Sequence, residues 1–251
     1  MRDITNELSW LADAIIQMVL EYARRELDEK YGSSEDQFAV IGVGKLGTSV
    51  ARDLVDGGER VVLAAHDGAN ATALARELGE PASVASVEKA IGDADVVVFA
   101  VWLDTLKDLI TQHADLLKGK VVVDPSNPLA QDANGGVVRT LPEGQSSGSV
   151  VAGLLPAETH FVKAFGTLGA ESLASEANRT PRAVLFYATD DDRAAVAVER
   201  LISAAGFDPV KAGGIDAAVR IETSGDLHQF GGLNGRVVDT SEAQAALATA
   251  A

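Results

Sequence analysis

The sequence predicts an α/β fold: a doubly wound, mainly parallel sheet with helices on both faces, a small C-terminal α/β extension and an added N-terminal helix. Three observations predict it. From Phe38 onward, short apolar runs rich in β-branched residues alternate with segments of helical period. The strand runs are apolar almost throughout, as strands buried on both faces must be. A glycine-rich turn joins the first strand to the first helix, where a β-α-β unit makes its tightest bend.

The chain ahead of that point has a different pattern. Residues 6–30 have helical spacing, with Leu8, Leu11, Ile15, Met18 or Val19 and Tyr22 recurring at three- and four-residue steps. That apolar face packs either on the protein's own body or on a second subunit. "YGSSEDQ" then ends the helix, so residues 1–36 are read as helix and linker. Strands follow at "FAVIGVG", "RVVLAA", "ASVAS", "DVVVFAVW" and "KVVVDPS", with helices at "KLGTSVARDLVDGG", "ANATALARELG", "VEKAIGDA" and "LDTLKDLITQHADLLKG". Beyond them, "QDANGGVVRTLPEGQSSG" is loop by composition, "SVVAGLLP" a short helix, "HFVKAF" a sixth strand and "GTLGAESLASEANRTP" a long loop. "RAVLFYATD", "DRAAVAVERLISAAG" and "FDPVKAGG" give strand, helix and strand, and "IDAAVRIE" opens a helix. Residues 37–235 therefore form one domain with its extension. Residues 236–251, rich in Ala and lacking a packing pattern, are expected to be a disordered tail.

Composition narrows the function classes. With 251 residues, 47% of them hydrophobic, the chain can bury a sizeable core. There are no cysteines, which excludes thiolate metal sites and a cysteine nucleophile. A cytoplasmic location is expected: the N-terminus lacks a basic-then-apolar leader, and no apolar run reaches the ~20 residues a bilayer span needs. The net charge of −16 repels phosphate backbones and anionic lipid, which sets nucleic acid and membranes aside as partners. A small-molecule substrate is left, and an anionic ligand needs a local device against the global field.

That device is legible in Gly42, Gly44 and Gly47, spaced G-x-G-x-x-G between strand and helix. The first glycine permits the turn, the second lets backbone approach a pyrophosphate, and the third brings the helix close to the strand. The helix N-terminus adds free N–H groups and a partial positive charge. A dinucleotide is therefore expected, with Val43, Lys45 and Leu46 offering backbone donors and Thr48 nearby. An NAD site places an acid at the tip of strand two to accept from the ribose 2′-OH. That position falls at Ala65, which leaves room for a 2′-phosphate, and His66 can donate to one. Asn70 and Thr72 add neutral donors. Asp67 argues for NAD if it turns inward. The balance favours NADP, with NAD possible.

A second ligand is expected beyond the carboxyl ends of the strands. Val101 and Trp102 after strand four, Ser126 and Asn127 after strand five, and Phe165 and Thr167 after strand six should converge on the nicotinamide. Val101, Trp102 and Asn127 are assigned to the cofactor; Ser126, Phe165 and Thr167 are assigned to the substrate. "DPSNP" also reads as a rigid turn. No Tyr-x-x-x-Lys occurs, His113 is expected in solvent, and His160 and His228 have no evident partner. Lys163 either points into the sheet end or faces solvent, and solvent is favoured. No metal site is expected, and no residue is assigned as catalytic. A site without an acid–base pair suits hydride exchange between two stacked redox rings, where cofactors carry the chemistry and protein supplies proximity.

"VIGVGKLGTSVARDLVDGGERVVLAAHD", "VDPSNPL", "FVKAFGTL" and "GFDPVKAGGIDAAVRIE" together resemble, in order and spacing, the NADPH-dependent coenzyme F420 reductase family of dinucleotide-binding proteins. The resemblance covers residues 38–235. It implies a Rossmann-like domain with a C-terminal extension, homodimers, and hydride transfer between NADPH and the deazaflavin coenzyme F420. Relatives that reduce the deazaflavin carry a Ser-Arg-like pair where this chain has Ala65 and His66, and many carry Asn where it has Gly166. Two rival readings stand beside it. One is an NAD(P)H-dependent reductase of a small imine, ketone or flavin. The other is a non-catalytic NAD(P)-sensing or scaffold protein that uses its N-terminal helix to reach a partner.

Overall fold

The apolar runs pair into an eight-stranded sheet in a computed structural model that describes residues 36–248. The N-terminal helix expected over residues 6–30 lies outside the described residues. Gln37–Ala251 forms one compact unit, distinct from Met1–Asp36.

The first half alternates strand and helix as its sequence periods require. β1 (Phe38–Ile41), α1 (Lys45–Asp56), β2 (Val61–Ala64), α2 (Gly68–Leu78), β3 (Ala82–Val84), α3 (Val87–Asp93), β4 (Val96–Phe99), α4 (Leu103–Leu117) and β5 (Val121–Asp124) follow one another. The second half contributes a two-stranded hairpin, β6 (Leu129–Gln131) and β7 (Val137–Arg139), then α5 (Ser147–Leu154), β8 (His160–Lys163) and α6 (Ala170–Glu176). β9 (Val184–Ala188), α7 (Asp192–Ala204), β10 (Asp208–Gly213), a 3-10 turn at Ile215–Ala217, α8 (Ala218–Ile221) and α9 (Thr240–Ala248) complete it.

The sheet order is β10-β9-β8-β5-β4-β1-β2-β3. All pairs are parallel except β8 with β9, so β9 and β10 run against the rest. Alternate side chains feed two cores. Phe38, Val40, Val98 and Val123 pack with Val50 and Leu54 of α1 and Val198 of α7 on one face. Ala39, Ile41, Val97 and Val122 pack with Ile91 of α3, Leu106 of α4 and Val151 of α5 on the other. Every residue of β1, β4 and β5 is buried, which explains their unbroken apolar sequences. β1 lies between β2 and β4, so successive connections leave it in opposite directions. A crevice opens at that switch point, beyond the strand ends.

Three expectations over the connecting segments are corrected. The segment after β5, expected as loop, contains the β6–β7 hairpin, closed by an Asp132 carboxylate that accepts from Asn134 N and Gly136 N, each at 2.8 Å. The long loop after β8 contains α6, whose single large apolar residue, Leu173, is fully buried against the core shared with α1. The tail expected to be disordered forms α9 instead. Asp239 accepts from Ser241 N and Glu242 N, and Ala243 is buried against Val184, Phe186 and Val238. A single small buried residue in nine is too weak a pattern to read as an amphipathic helix. Among the described residues no helix is long and apolar enough to cross a membrane.

Candidate functional site

The glycine loop is shaped by backbone packing that side chains would block. Gly42 has φ +98°, and a Cβ there would collide with the carbonyl oxygen of Ala100. A Cβ on Gly47 would strike the carbonyl oxygen of Gly42, so α1 approaches β1 closely only with glycine at that position. Gly44 is the opposite case: it faces open space, with no atom within 4 Å of a built Cβ. It is also the N-cap of α1, without a side-chain cap and with no acid in the first turn. The first N–H groups of α1 therefore remain without partners from a cap, as an anion seat requires. Thr48 does not add a free donor. Its N–H bonds to Gly44 O at 2.9 Å and its hydroxyl to Val43 O at 3.2 Å, so it braces the loop.

At the tip of β2, Ala65 is half-buried and His66 is exposed. Asp67 does not turn inward. It is the N-cap of α2, accepting from Ala69 N at 3.0 Å and from Asn70 Nδ2 at 3.1 Å. Thr72 spends its hydroxyl on Gly68 O at 2.8 Å. Of the residues expected to frame the adenosine ribose, His66 alone keeps an uncommitted polar side chain.

A cleft of about 380 Å³ runs from the glycine loop across the strand ends. Gly44, Lys45 and Leu46 form one wall; Ala100, Val101, Trp102, Pro125, Ser126, Asn127, Leu129 and Ala170 form the rest. Seven of the residues named from sequence meet here: Gly44, Lys45, Leu46, Val101, Trp102, Ser126 and Asn127. Lys45 is the one titratable side chain in the lining; it is exposed and lies 3.9 Å from Glu171. Trp102 is 51% exposed, an aromatic face left bare at the cleft. The Ser126 hydroxyl is buried with no partner within the protein. An open glycine, an uncapped helix terminus and an orphaned hydroxyl in one cleft fit a dinucleotide.

Three other assignments are corrected. Asn127 reaches the cleft, but its amide is spent inside the protein: Nδ2 donates to Gly166 O at 3.0 Å and Oδ1 accepts from Thr223 N at 2.6 Å. Phe165 does not form a pocket wall. It is fully buried in the core, with φ +64° turning its side chain into the sheet. Thr167 is also buried, its hydroxyl unpartnered and its carbonyl holding Gln229 N at 3.0 Å. Gly166, where many relatives carry Asn, has no room for a side chain: a Cβ would meet Pro125 O at 2.6 Å.

Beneath the cleft lies a charged network that the sequence reading missed. Lys163 does not face solvent; it is 2% exposed and saturates all three of its donors. It bonds Asp124 Oδ2 at 2.7 Å, Ser147 Oγ at 2.8 Å, and the carbonyl oxygen of Ser126. Glu222 accepts from Ser146 Oγ and Gly148 N at 2.8 Å and from Ser147 N and Oγ at 2.9 Å, closing off the N-terminus of α5. Asp124 Oδ1 takes Ser126 N at 2.7 Å. A signal was present: "VVVD" and "FVKAF" each place one charge in an otherwise apolar strand end, and the β5–β8 register pairs Asp124 with Lys163. Glu222 and Ser147 carry no such signal, since their meeting depends on the fold.

The histidines also differ from expectation. His228 donates from Nε2 to Gly166 O at 3.1 Å and accepts Phe230 N on Nδ1 at 3.0 Å. Burial pushes its pKa down to about 4, so it is neutral near pH 7. His160 has a partner, Asp191, with Nδ1 2.7 Å from Oδ2. That pair lies at the start of β8, whereas the cleft lies past the strand's other end. Among the described residues no group of His, Asp and Glu could hold a metal ion.

Residues 37–128 match the family described as NADP oxidoreductase, coenzyme F420-dependent. Residues 1–50 match a different family, glutamate-ammonia ligase adenylyltransferase. A metalloreductase of Rattus norvegicus, STEAP3, is 31% identical over 183 residues, 73% of this chain and 35% of that protein, so the chain spans about a third of this relative. A hypothetical protein of Sinorhizobium meliloti is 29% identical, with 78% of this chain and 94% of that one aligned at a TM-score of 0.69. An Arthrobacter protein described as an F420-dependent NADP reductase shares the fold at 24% identity and TM-score 0.63, over 73% of this chain and 87% of its own. Residues 37–128, which hold the glycine loop and most of the cleft lining, are thus similar to the coenzyme F420-dependent NADP oxidoreductase family.

Proposed function

We propose that the protein is an NADP(H)-dependent oxidoreductase that moves hydride to or from a second, planar ligand of the deazaflavin class. One observation carries the reading: the cleft joining the uncapped terminus of α1 to Trp102 and Ser126 is lined mainly by apolar groups, and its one titratable side chain, Lys45, has no acid–base partner in the lining. A dehydrogenase of alcohols, or a reductase of ketones, needs a proton shuttle beside the reacting oxygen; hydride exchange between two rings does not. Bound there, the nicotinamide supplies the hydride. The N–H groups of Lys45 and Leu46 hold the diphosphate. Gly44 lets it approach, and His66 donates to a 2′-phosphate. Trp102 offers a stacking face to the acceptor, and Ser126 Oγ supplies one hydrogen bond to orient a ring. Family resemblance further supports a homodimer, which sedimentation of the purified chain tests.

The test is to titrate the protein with NADPH and NADH separately, then add oxidised deazaflavin and follow loss of the reduced nicotinamide. Binding of NADPH over NADH, with turnover on the deazaflavin, is expected. Turnover with an imine or ketone but not with deazaflavin overturns the acceptor. The match to a metalloreductase favours a second reading, in which a flavin or a metal chelate accepts the electrons. The same assay with those acceptors decides between them.

A further inference from the structure

Asp124, Lys163 and Glu222 bring two carboxylates and one ammonium together at 0%, 2% and 1% exposure, a formal charge of −1 inside the protein. The hydrogen bonds keep that excess in place. Two of the four donors on Glu222 are backbone N–H groups, which can only donate, so both of its oxygens act as acceptors. Among the described residues, Lys163 is the one cation in ion-pair contact with either acid, 2.7 Å from Asp124 and 3.7 Å from Glu222. The N-terminus of α5 offsets part of the second charge and not the whole.

The excess sits against the floor of the cleft. Asp124 holds the N–H of Ser126 and Lys163 holds its carbonyl. The hydroxyl of that same residue is buried, lacks a partner and belongs to the cleft lining. A charge in a poorly polarisable interior acts over longer range than one in water. The exposed ammonium of Lys45, by contrast, is solvated and screened.

We infer that this buried cluster biases the nucleotide site toward the cationic, oxidised nicotinamide, so that the protein binds NADP+ more tightly than NADPH. The inference rests on the nucleotide site proposed above. The two redox forms share every phosphate and ribose contact. They differ by one hydride, two electrons and a proton, whose loss to the deazaflavin-class acceptor leaves the ring one unit more positive. The ratio of their affinities therefore isolates the field at the ring. By linkage, tighter binding of the oxidised form makes bound NADPH a stronger hydride donor than the free nucleotide.

Calorimetric titration of the full chain with NADP+ and with NADPH, near neutral pH, tests it. One unit charge at short range through a partly polar medium corresponds to about a three- to tenfold preference for NADP+. Glu222→Gln removes one negative charge and should bring the ratio toward unity; Asp124→Asn is the second variant should the first fail to fold. The wild-type ratio needs no variant: equal affinities, or tighter NADPH, overturn the inference while leaving the nucleotide site standing. A wild-type preference for NADP+ that persists undiminished in a folded variant also overturns it. If neither nucleotide binds, the proposed function falls and the inference with it.

Discussion

The glycine loop and the buried charge network border the same cleft, yet they are built in opposite ways. The loop is local in sequence: three glycines at fixed spacing reveal it, although Ala100 of the neighbouring strand end presses on two of them. The network is assembled from β5, β8, α5 and the segment after α8, with Asp124 and Glu222 nearly a hundred positions apart. The loop leaves the first N–H groups of α1 without a side-chain cap, open to a ligand. The network spends every donor of Lys163 inside the protein. A substitution at Gly44, which faces open space, should therefore cost binding with little loss of stability, and one in the network should cost stability first.

The sharpest way to break that contrast is Lys163→Ala. Removing the one ammonium leaves two buried carboxylates facing each other, which should destabilise the chain by about 3–5 kcal/mol in urea denaturation. A loss below ~1 kcal/mol would mean that water reaches the cluster. Next is Asp53 on α1, whose pKa is raised to about 7 by burial and by Asp56, with one carboxylate oxygen unpartnered. The folded chain holds a proton that the unfolded chain has released above its ordinary value near 3.8. Stability should thus fall as pH rises from about 4 to about 7, by roughly 2–4 kcal/mol in all. Asp53→Asn should flatten that slope, and a variant with an unchanged slope assigns it elsewhere.

His228 gives a smaller effect of the opposite sign. Its pKa is depressed from 6.5 to about 4, so the unfolded chain binds the proton first, and stability should fall as pH drops from 6.5 toward 4. Protonation would also cost Nδ1 its bond from Phe230 N. About 1–3 kcal/mol should be lost across that window, and His228→Gln should remove most of the dependence. The smallest expected change is at the rim: His66→Glu should leave stability unchanged within ~0.5 kcal/mol and shift nucleotide preference toward NADH. An unaltered NADPH-to-NADH affinity ratio would take His66 out of the site.

Legibility in the sequence followed the same local–distant divide. Strands β1, β4 and β5 were plain because burial on both faces makes them apolar throughout, and α1 and α7 were plain because each keeps a continuous apolar stripe. Helices α6 and α9 were not, since Leu173 and Ala243 anchor them almost alone. At the site, Gly44, Trp102 and Ser126 could be placed from strand ends and turn residues. Asn127 and Phe165 lie at the correct strand ends, but their side chains are committed elsewhere by Gly166, Thr223 and a positive φ that pattern does not express. Lys163 looked like a surface lysine because its partners lie on other elements.

The central claim is that the bend at Gly42–Gly47 seats a diphosphate at the bare terminus of α1. Gly44→Val tests it most directly: its Cβ enters empty space and its backbone, at φ −68°, is open to any residue. Calorimetric titration of both proteins with NADPH should give saturable binding to the wild type and at least about a tenfold weaker affinity for the variant, a loss of ~1.4 kcal/mol, at an unchanged unfolding temperature. Equal affinity in the two proteins, or no binding to the wild type, would contradict the account.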